Sequence, residues 1–272
     1  MESSSIYNLV YRELEELPFT HTLQIKDMNK LNVYEKLSKI GSLKNHLIPF
    51  GEVQDEEKLI EFLNDHESII LKPILGSFAI GIIKIEKIDN RYYWYEEDKV
   101  HEYSLTQVKR ICRQREIYGK YLMQKYMEFK SKNNNPTDIR LHMIKDKEDN
   151  NKWHVAKSYV RISHAGYKIN TEIFSGGRGF SGSTMHLNRY VEQNMENNSE
   201  EIVKNILVLA QKIAVEFDQL HDGKIAEQAL DLGLTLDGEV FIIEINVNRP
   251  GIYGYEFEIA KYMIPYAATL KL

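Results

Sequence analysis

Residues 226–251 read AEQALDLGLTLDGEVFIIEINVNRPG, in which an apolar run stands on either side of Asp237-Gly238. Asp-Gly between apolar runs predicts a β-hairpin with a two-residue type I′ turn, because that turn needs a positive φ at both central residues. Cross-strand partners around such a turn have residue numbers with a constant sum. The pattern therefore places Asp231 directly opposite Glu244, so that two acidic side chains face each other inside apolar strands.

Two carboxylates in this position repel and destabilise the sheet, unless one is protonated or a cation lies between them. Asn246 and Asn248 fall on the same side of the strand as Glu244, because side chains alternate with period two. An Asp, a Glu and an Asn amide oxygen are hard ligands that suit Mg²⁺ better than zinc. The residues therefore indicate a Mg²⁺ site. Alternatively, the turn slips by one residue and Asp231 points to solvent.

The composition is that of an ordinary globular protein. Of 272 residues, 43% are hydrophobic and 28% charged, enough to bury a core in one large domain or two small ones. A net charge of −5 argues against a general nucleic-acid-binding protein. No apolar run approaches the roughly 18 residues of a membrane span, and the first residues lack the pattern of a signal peptide. A single cysteine, Cys112, fits a reducing compartment, so we expect a cytoplasmic protein without a nucleic-acid or membrane partner.

Two lysines stand where phosphate oxygens could be bound. Lys30 lies at the start of a predicted helix, whose N-cap is Asp27 or Asn29 and which ends at Gly41. Lys72 ends a predicted buried strand that a glycine-containing turn joins to a return strand. Such a turn can place backbone N–H groups against phosphate, and the lysine adds a positive charge. However, a lysine at a helix start is usually solvated, and most glycine hairpins are plain turns.

Arg140 and Arg161 lie on two predicted strands, residues 138–144 and 153–162, that form a meander. Each arginine alternates with apolar neighbours and so points away from the core, into either solvent or a cleft. A lone arginine of this kind is usually solvated, but two of them in a fold that holds phosphates favour the cleft. The residues leave both alternatives open.

The hairpin resembles that of a known family. Asp231-Leu232-Gly233 followed by FIIEIN at residues 241–246 resembles the metal-binding end of ATP-grasp enzymes, and more closely that of the YheC/YheD-like, endospore coat-associated proteins. The family ending is similar to Glu-Val-Asn-Ser-Lys-Pro-Gly, and the ending here is one residue longer, which leaves open whether Asn246 or Asn248 is the third ligand. Three further stretches resemble the family: Asn29-Lys30 before a helix, Lys72-Pro73 with Gly76, Ser77 and Gly81, and Asp138-Ile139-Arg140. This chain has Leu31 and Ala79 where the family pattern has tryptophan and glycine.

The resemblance implies an α+β ATP-grasp fold of two α+β lobes, with ATP in the cleft between them. It implies three regions: a reduced N-terminal segment and first helix (residues 1–49), a lid subdomain (50–120) and a catalytic subdomain with the metal site (121–272). The implied nucleotide-binding residues are Lys30, Lys72, Ser77, Gln124, Lys125, Tyr126, Asp231 and Glu244, with residues 124–126 at the adenine edge. The implied metal ligands are Asp231, Glu244 and Asn246, and the implied catalytic side chains are Arg140, Arg161 and Lys72.

The function implied is that of an ATP- and Mg²⁺-dependent carboxylate–amine ligase that forms an amide through an acyl phosphate. Its substrates would be a small carboxylate and an amine, such as an amino acid or a peptide. The alternative is a non-catalytic or nucleotide-binding structural protein associated with the spore coat. The sequence does not identify the substrates, and it leaves open whether the protein is an oligomer.

Overall fold

Two antiparallel β-sheets with α-helices packed against them make up the part of the chain that the structure describes. The structure is a computed structural model, and it describes residues 29–76, 80–96, 99–146, 149–163, 182–195, 198–247, 258 and 260–262. The predicted α+β class is confirmed. Within these residues, no helix is both long and apolar enough to span a membrane.

The first sheet has six strands in the order β1-β6-β2-β3-β4-β5. Its strands are β1 (Phe50–Glu52), β2 (Ser68–Pro73), β3 (Ile83–Ile88), β4 (Arg91–Glu96), β5 (Lys99–Tyr103) and β6 (Tyr121–Lys125). Helices α2 (Glu56–His66) and α3 (Leu105–Gln114) cover one face. Asp55 caps α2, since its side chain accepts a hydrogen bond from the backbone N–H of Lys58 at 2.8 Å. The core between helices and strands includes Leu59, Leu63, Ile85, Trp94 and Val108.

The second sheet has five strands in the order β11-β10-β7-β8-β9. Its strands are β7 (Thr137–Asp146), β8 (Lys152–Ser163), β9 (Gly182–His186), β10 (Glu227–Leu234) and β11 (Val240–Asn246). Helices α4 (Leu187–Asn194) and α5 (Ser199–Gln219) pack against its core face. Helix α5 has apolar residues at helical spacing, and Ile206, Ala210, Ile213 and Phe217 are fully buried.

Helix α1 (Lys30–Ser38) contacts both sheets. Its buried residues Tyr34 and Leu37 belong to the core of the five-stranded sheet, and the Tyr34 ring lies 5.1 Å from the ring of Phe50 in β1. Asn29 is the N-cap, one of the two predicted candidates, and the helix ends before Gly41. The element that carries Lys30 therefore lies where the two sheets meet.

Strand β6 is hydrogen-bonded between β1 and β2, and so belongs to the six-stranded sheet. The predicted boundary at residue 120 assigns it instead to the catalytic subdomain. The division into a lid and a catalytic subdomain stays a prediction. The sheet that β6 joins would place such a boundary after Lys125.

The turn of the β10–β11 hairpin has three residues, 236–238, and the predicted two-residue type I′ turn is wrong. The backbone N–H of Thr235 donates to Glu239 O at 3.0 Å, and that of Gly238 donates to Thr235 O at 3.0 Å. Gly238 has a φ of 86°, which is the left-handed conformation at the end of such a loop. The pairing of the two strands nearest the turn is therefore shifted by one residue from the prediction.

A β-bulge further along the hairpin compensates for this shift. Leu232 pairs with Ile242, but the next residue on β10, Asp231, pairs with Glu244. Ile243 is the extra residue, and it has no partner on β10. The predicted pairing of Asp231 with Glu244 is thus present, although the turn that was used to predict it is different.

Candidate functional site

The centre of the candidate site is the pair Asp231 and Glu244, which lie directly opposite each other on β10 and β11. Asp231 is 4% exposed, so the alternative in which it points to solvent is excluded. Asn246 Nδ2 lies 3.4 Å from Asp231 Oδ2. The structure therefore brings together the three side chains predicted as metal ligands. Their role stays a prediction, and Asn248, the other candidate, lies outside the described residues.

The donor set fits a hard divalent cation. Within the residues that the structure describes, no three His, Cys, Asp or Glu side chains cluster as a metal site, and the set here is two carboxylates with the side chain of Asn246. Two carboxylates and an amide suit Mg²⁺, which usually keeps several ligands from water or phosphate. Asp231 Oδ1 is buried and accepts no well-directed hydrogen bond. The cationic groups nearest to it in the described residues are the guanidinium groups of Arg140 and Arg161, at 2.6 and 3.0 Å.

Arg140 and Arg161 face the site rather than solvent, which decides between the two alternatives left open by the sequence. Arg140 stands beside Asp231 in the β7–β10 ladder, with its Nε 2.6 Å from Oδ1 and its Nη2 3.2 Å from Oδ2. Arg161 is 8% exposed, and its Nη2 lies 3.0 Å from Asp231 Oδ1. Two guanidinium groups therefore flank the carboxylate that is expected to bind metal.

Asp138 is a site residue that the residue-by-residue reasoning missed. It pairs with Arg161 across β7 and β8, and it accepts hydrogen bonds from Arg161 Nε at 2.6 Å and from Nη2. A signal was present in the sequence, since Asp138 and Arg140 are two residues apart on one strand and so share a face. Burial by itself lowers the pKa of Arg161, but Asp138 and Asp231 raise it well above its ordinary value, so the guanidinium stays charged.

Lys30 connects the acidic pair to the glycine-containing turn. Its Nζ lies 3.7 Å from Glu244 Oε1 and donates a hydrogen bond to Gly76 O at 2.6 Å. Its backbone N–H donates to Ile74 O at 3.3 Å, so helix α1 begins against this turn. Ser77, the predicted phosphate ligand in the turn, lies outside the described residues. The ammonium group of Lys30 thus lies between Glu244 and the glycine-containing turn, which are both predicted to bind the nucleotide.

Lys72 is a buried cation on β2, with 6% of its surface exposed. The pKa of Lys72 is lowered from 10.5 to about 8, chiefly by burial and also by the charge of Lys30, while the charges of Glu244 and Asp231 oppose the shift. A lysine in this state gains from a nearby anion, because an anion stabilises its charged form. Its role as a phosphate-binding side chain stays a prediction.

Residues 124–126 are predicted to contact an adenine ring, but two of their backbone N–H groups are already hydrogen-bonded to other parts of the chain. The backbone N–H of Lys125 donates to Pro49 O at 2.9 Å, and that of Tyr126 donates to Ser68 O at 2.8 Å. These two donors are therefore not available to a base in this structure, and contacts from the segment would have to come from carbonyl groups or from residues after Tyr126. Gln124 is buried, with 1% of its surface exposed.

The sequence reasoning also missed Tyr34. Its hydroxyl lies 2.8 Å from Ile242 O and 2.7 Å from Ile243 O, at the bulge that precedes Glu244. Burial raises its pKa well above the ordinary value, and the nearby Glu244 adds to this effect while Gln124 opposes it. The phenol therefore stays protonated and can donate. No sequence signal pointed to it, since an aromatic residue at helical spacing is usually part of a core.

Solved structures with a similar fold include two synthetases. D-alanyl-alanine synthetase A from Vibrio cholerae O1 biovar eltor is similar with a TM-score of 0.54 and 15% identity, over 88% of this chain and 65% of that chain. An ADP complex of N5-carboxyaminoimidazole ribonucleotide synthetase gives a TM-score of 0.52 and 15% identity, over 85% of this chain and 47% of that chain. At these identities the likeness shows the fold alone.

The chain belongs to the YheC/D-like ATP-grasp family, whose model matches residues 20–269. A curated relative is the endospore coat-associated protein YheC of Bacillus subtilis (strain 168), which is 24% identical over 244 residues. The match covers 88% of this chain but 64% of that protein, so the relative is considerably longer than the matched part. The family that the resemblance suggested is thus confirmed.

Proposed function

We propose that this protein is an ATP-dependent carboxylate–amine ligase that releases ADP. The observation that carries the proposal is the arrangement around Asp231 and Glu244, where two lysines and two arginines surround a pair of opposed carboxylates. A site with this many cations and a hard oxygen set suits a polyphosphate and its metal ion. A scaffold protein would have little reason to keep Lys72 and Asp231 buried, because desolvating charged groups destabilises the fold.

The lysines would bind and neutralise the phosphates of ATP. Lys72 lies on β2 beneath the glycine-containing turn, and Lys30 reaches the turn from the start of α1 through its hydrogen bond to Gly76 O. Asp231, Glu244 and Asn246 would hold Mg²⁺, which when bound draws charge from the β- and γ-phosphates and orients them.

The arginines would orient the carboxylate substrate and the transferring phosphoryl group. A carboxylate oxygen attacks the γ-phosphorus, the bond to the β-phosphate oxygen breaks, and an acyl phosphate and ADP form. An amine then attacks the acyl carbon, inorganic phosphate leaves, and the amine loses a proton as the amide forms. No side chain forms a covalent bond, so catalysis consists of positioning and charge stabilisation. Arg161 is suited to this role because Asp138 fixes its guanidinium plane.

The names of the similar structures support a ligase, since both are synthetases and one joins two alanines. The relative from Bacillus is named for the endospore coat, which supports an association with the spore as a further part of the proposal. The same name favours the second candidate, a nucleotide-binding structural protein of the spore surface that makes no product. The two candidates predict different results when ATP turnover is measured.

Calorimetry with ATP and Mg²⁺, followed by an ADP-release screen over amino acids and short peptides, tests the proposal. We expect binding and substrate-stimulated ADP release in the wild type, and loss of that release in Glu244→Gln with an unchanged thermal midpoint. Glu239→Gln is the matched control, since it makes the same change at an exposed position of the same hairpin. Binding of ATP without any substrate-stimulated release would favour the structural protein, and full turnover by Glu244→Gln would remove the metal role.

A further inference from the structure

The bulge in β11 decides which face of the sheet carries Glu244. Near the turn, Leu232 pairs with Ile242. If that register continued along the hairpin without a bulge, Leu230 would pair with Glu244. Because side chains alternate with period two, Glu244 would then share the face of Leu230, which lies in the apolar core. The extra residue, Ile243, turns Glu244 to the face of Asp231 instead. The metal-binding pair therefore depends on one irregularity in the strand.

The Tyr34 hydroxyl bridges this irregularity. It lies within hydrogen-bond distance of both Ile242 O and Ile243 O, at 2.8 and 2.7 Å, and the residue is 3% exposed. Strand β11 is the outermost strand of its sheet, and on its outer side Ile242 has an isolated parallel bridge to Leu47 instead of a full neighbouring strand. A single phenol proton shared by two carbonyls on either side of the extra residue favours the bulged conformation over the regular ladder.

Tyr34 and Lys30 act on the same part of β11. They are four residues apart in α1 and therefore lie on one face of the helix. Lys30 Nζ lies 3.7 Å from Glu244 Oε1, while Tyr34 holds the two residues that precede Glu244. One helix face thus contacts both the side chain of Glu244 and the backbone that sets its direction.

We propose that Tyr34 is a positioning residue, whose hydroxyl holds the bulge at Ile243 and so keeps Glu244 opposite Asp231. The consequence for metal binding rests on the proposed function. The competing explanation is plain packing, because the Tyr34 ring also lies against Phe50. Tyr34→Phe separates the two, since it keeps the ring and removes the hydroxyl alone.

The first measurement is Mn²⁺ affinity, followed by electron paramagnetic resonance in the presence of ADP. We expect Tyr34→Phe to weaken Mn²⁺ binding by roughly 10- to 100-fold, as is usual for groups that orient metal ligands. Tyr190→Phe is the matched control: it also removes a buried hydroxyl, one that is 3.1 Å from Thr137, and it should leave Mn²⁺ affinity unchanged. Equal Mn²⁺ affinity in wild type and Tyr34→Phe would overturn the proposal.

The second measurement does not depend on the metal. Hydrogen exchange, read by mass spectrometry on the peptide that covers residues 240–247, reports opening of β11. We expect faster exchange in Tyr34→Phe than in Tyr190→Phe when each variant is measured at the same interval below its own unfolding midpoint. If the wild type does not bind Mn²⁺, the proposed function fails, and this exchange still decides whether Tyr34 holds the bulge: unchanged exchange would overturn the positioning role.

A third variant covers the case in which Tyr34→Phe does not fold. 4-Aminophenylalanine at position 34 keeps the ring and supplies an N–H donor in place of the O–H. We expect it to retain Mn²⁺ affinity and slow exchange of residues 240–247. A folded protein with this substitution that has lost both would show that the donor group is not what positions Glu244.

Discussion

Asp138 and Arg161 form a two-point ion pair across β7 and β8, in which the guanidinium Nε and Nη2 donate to the two carboxylate oxygens. Both side chains are buried. The same guanidinium reaches Asp231 through Nη2 at 3.0 Å, so Asp138 fixes the direction from which Arg161 approaches the carboxylate that is predicted to bind metal. The orientation of a predicted catalytic group is therefore set by a neighbour on the next strand.

Asp138→Asn is expected to destabilise the fold strongly, because it removes one of the two carboxylates, Asp138 and Asp231, that pair with the buried charge of Arg161. Breaking one partner of a buried pair typically costs about 3 to 5 kcal/mol in the free energy of unfolding. Urea unfolding followed by circular dichroism measures it. Glu61→Gln breaks an exposed pair with Lys58 and should have no measurable effect. Equal unfolding midpoints for the two variants would contradict a structural role for Asp138.

Lys72→Met is expected to stabilise the apo protein at neutral pH, with an effect that shrinks as the pH rises. The pKa of Lys72 is lowered from 10.5 to about 8, chiefly by burial, so the unfolded chain binds this proton more tightly than the folded protein. The destabilisation is therefore fully present below pH 8, and stability is regained as the pH rises from there toward 10.5. We expect a gain of about 2 to 3 kcal/mol at pH 7 and less than about 1 kcal/mol at pH 10, from unfolding curves at each pH.

Lys39→Met is the control for this series, because Lys39 is an exposed residue just after α1. It should show no difference from wild type that depends on pH over the same range. A gain from Lys72→Met that stays constant between pH 7 and pH 10 would mean that the ammonium group is not destabilised by burial.

Lys30→Ala is expected to weaken ATP binding by about tenfold or more while leaving AMP binding nearly unchanged, because a charge-assisted hydrogen bond to the terminal phosphates is lost. Calorimetry with ATP, ADP and AMP in the absence of metal isolates the contribution of the lysine. Lys39→Ala removes a lysine just beyond the other end of the same helix and serves as the control. Equal losses for all three nucleotides would place Lys30 away from the phosphates.

Much of the fold could be predicted from residue patterns because the central strands and long helices carry strong apolar periodicity. The strands that were missed, β1, β5 and β9, are all at the edges of their sheets. Edge strands are half-solvated and need few apolar residues; β5, for example, reads KVHEY and is mostly exposed. Their sequences therefore resemble loops, and only the neighbouring strands show where they pair.

The candidate site was predictable where a single strand carries the information, and less so where contacts cross elements. Alternation along one strand puts Arg140 on the face away from the core. The opposition of Asp231 and Glu244 was predicted from a turn that the structure does not have, and it is present because of the bulge. Tyr34 contacts β11 across more than 200 positions of chain. Packing requires a glycine at position 233, and no local sequence pattern shows this. A Cβ at Gly233 would lie 2.3 Å from the ring of Phe129, so any larger residue would displace that ring.

A last prediction tests whether the three-residue turn or the bulge sets the direction of Glu244. Gly238→Ala is expected to lower the free energy of unfolding by about 1 kcal/mol, because alanine is strained at a φ of 86° although there is room for its methyl group. Gly41→Ala, at a position where a Cβ meets nothing within 4 Å, should be neutral or slightly stabilising in the same urea titration. Since the bulge rather than the turn directs Glu244, Gly238→Ala should leave Mn²⁺ affinity unchanged. A loss of metal affinity in this variant would mean that the hairpin register is set at the turn and not by Tyr34.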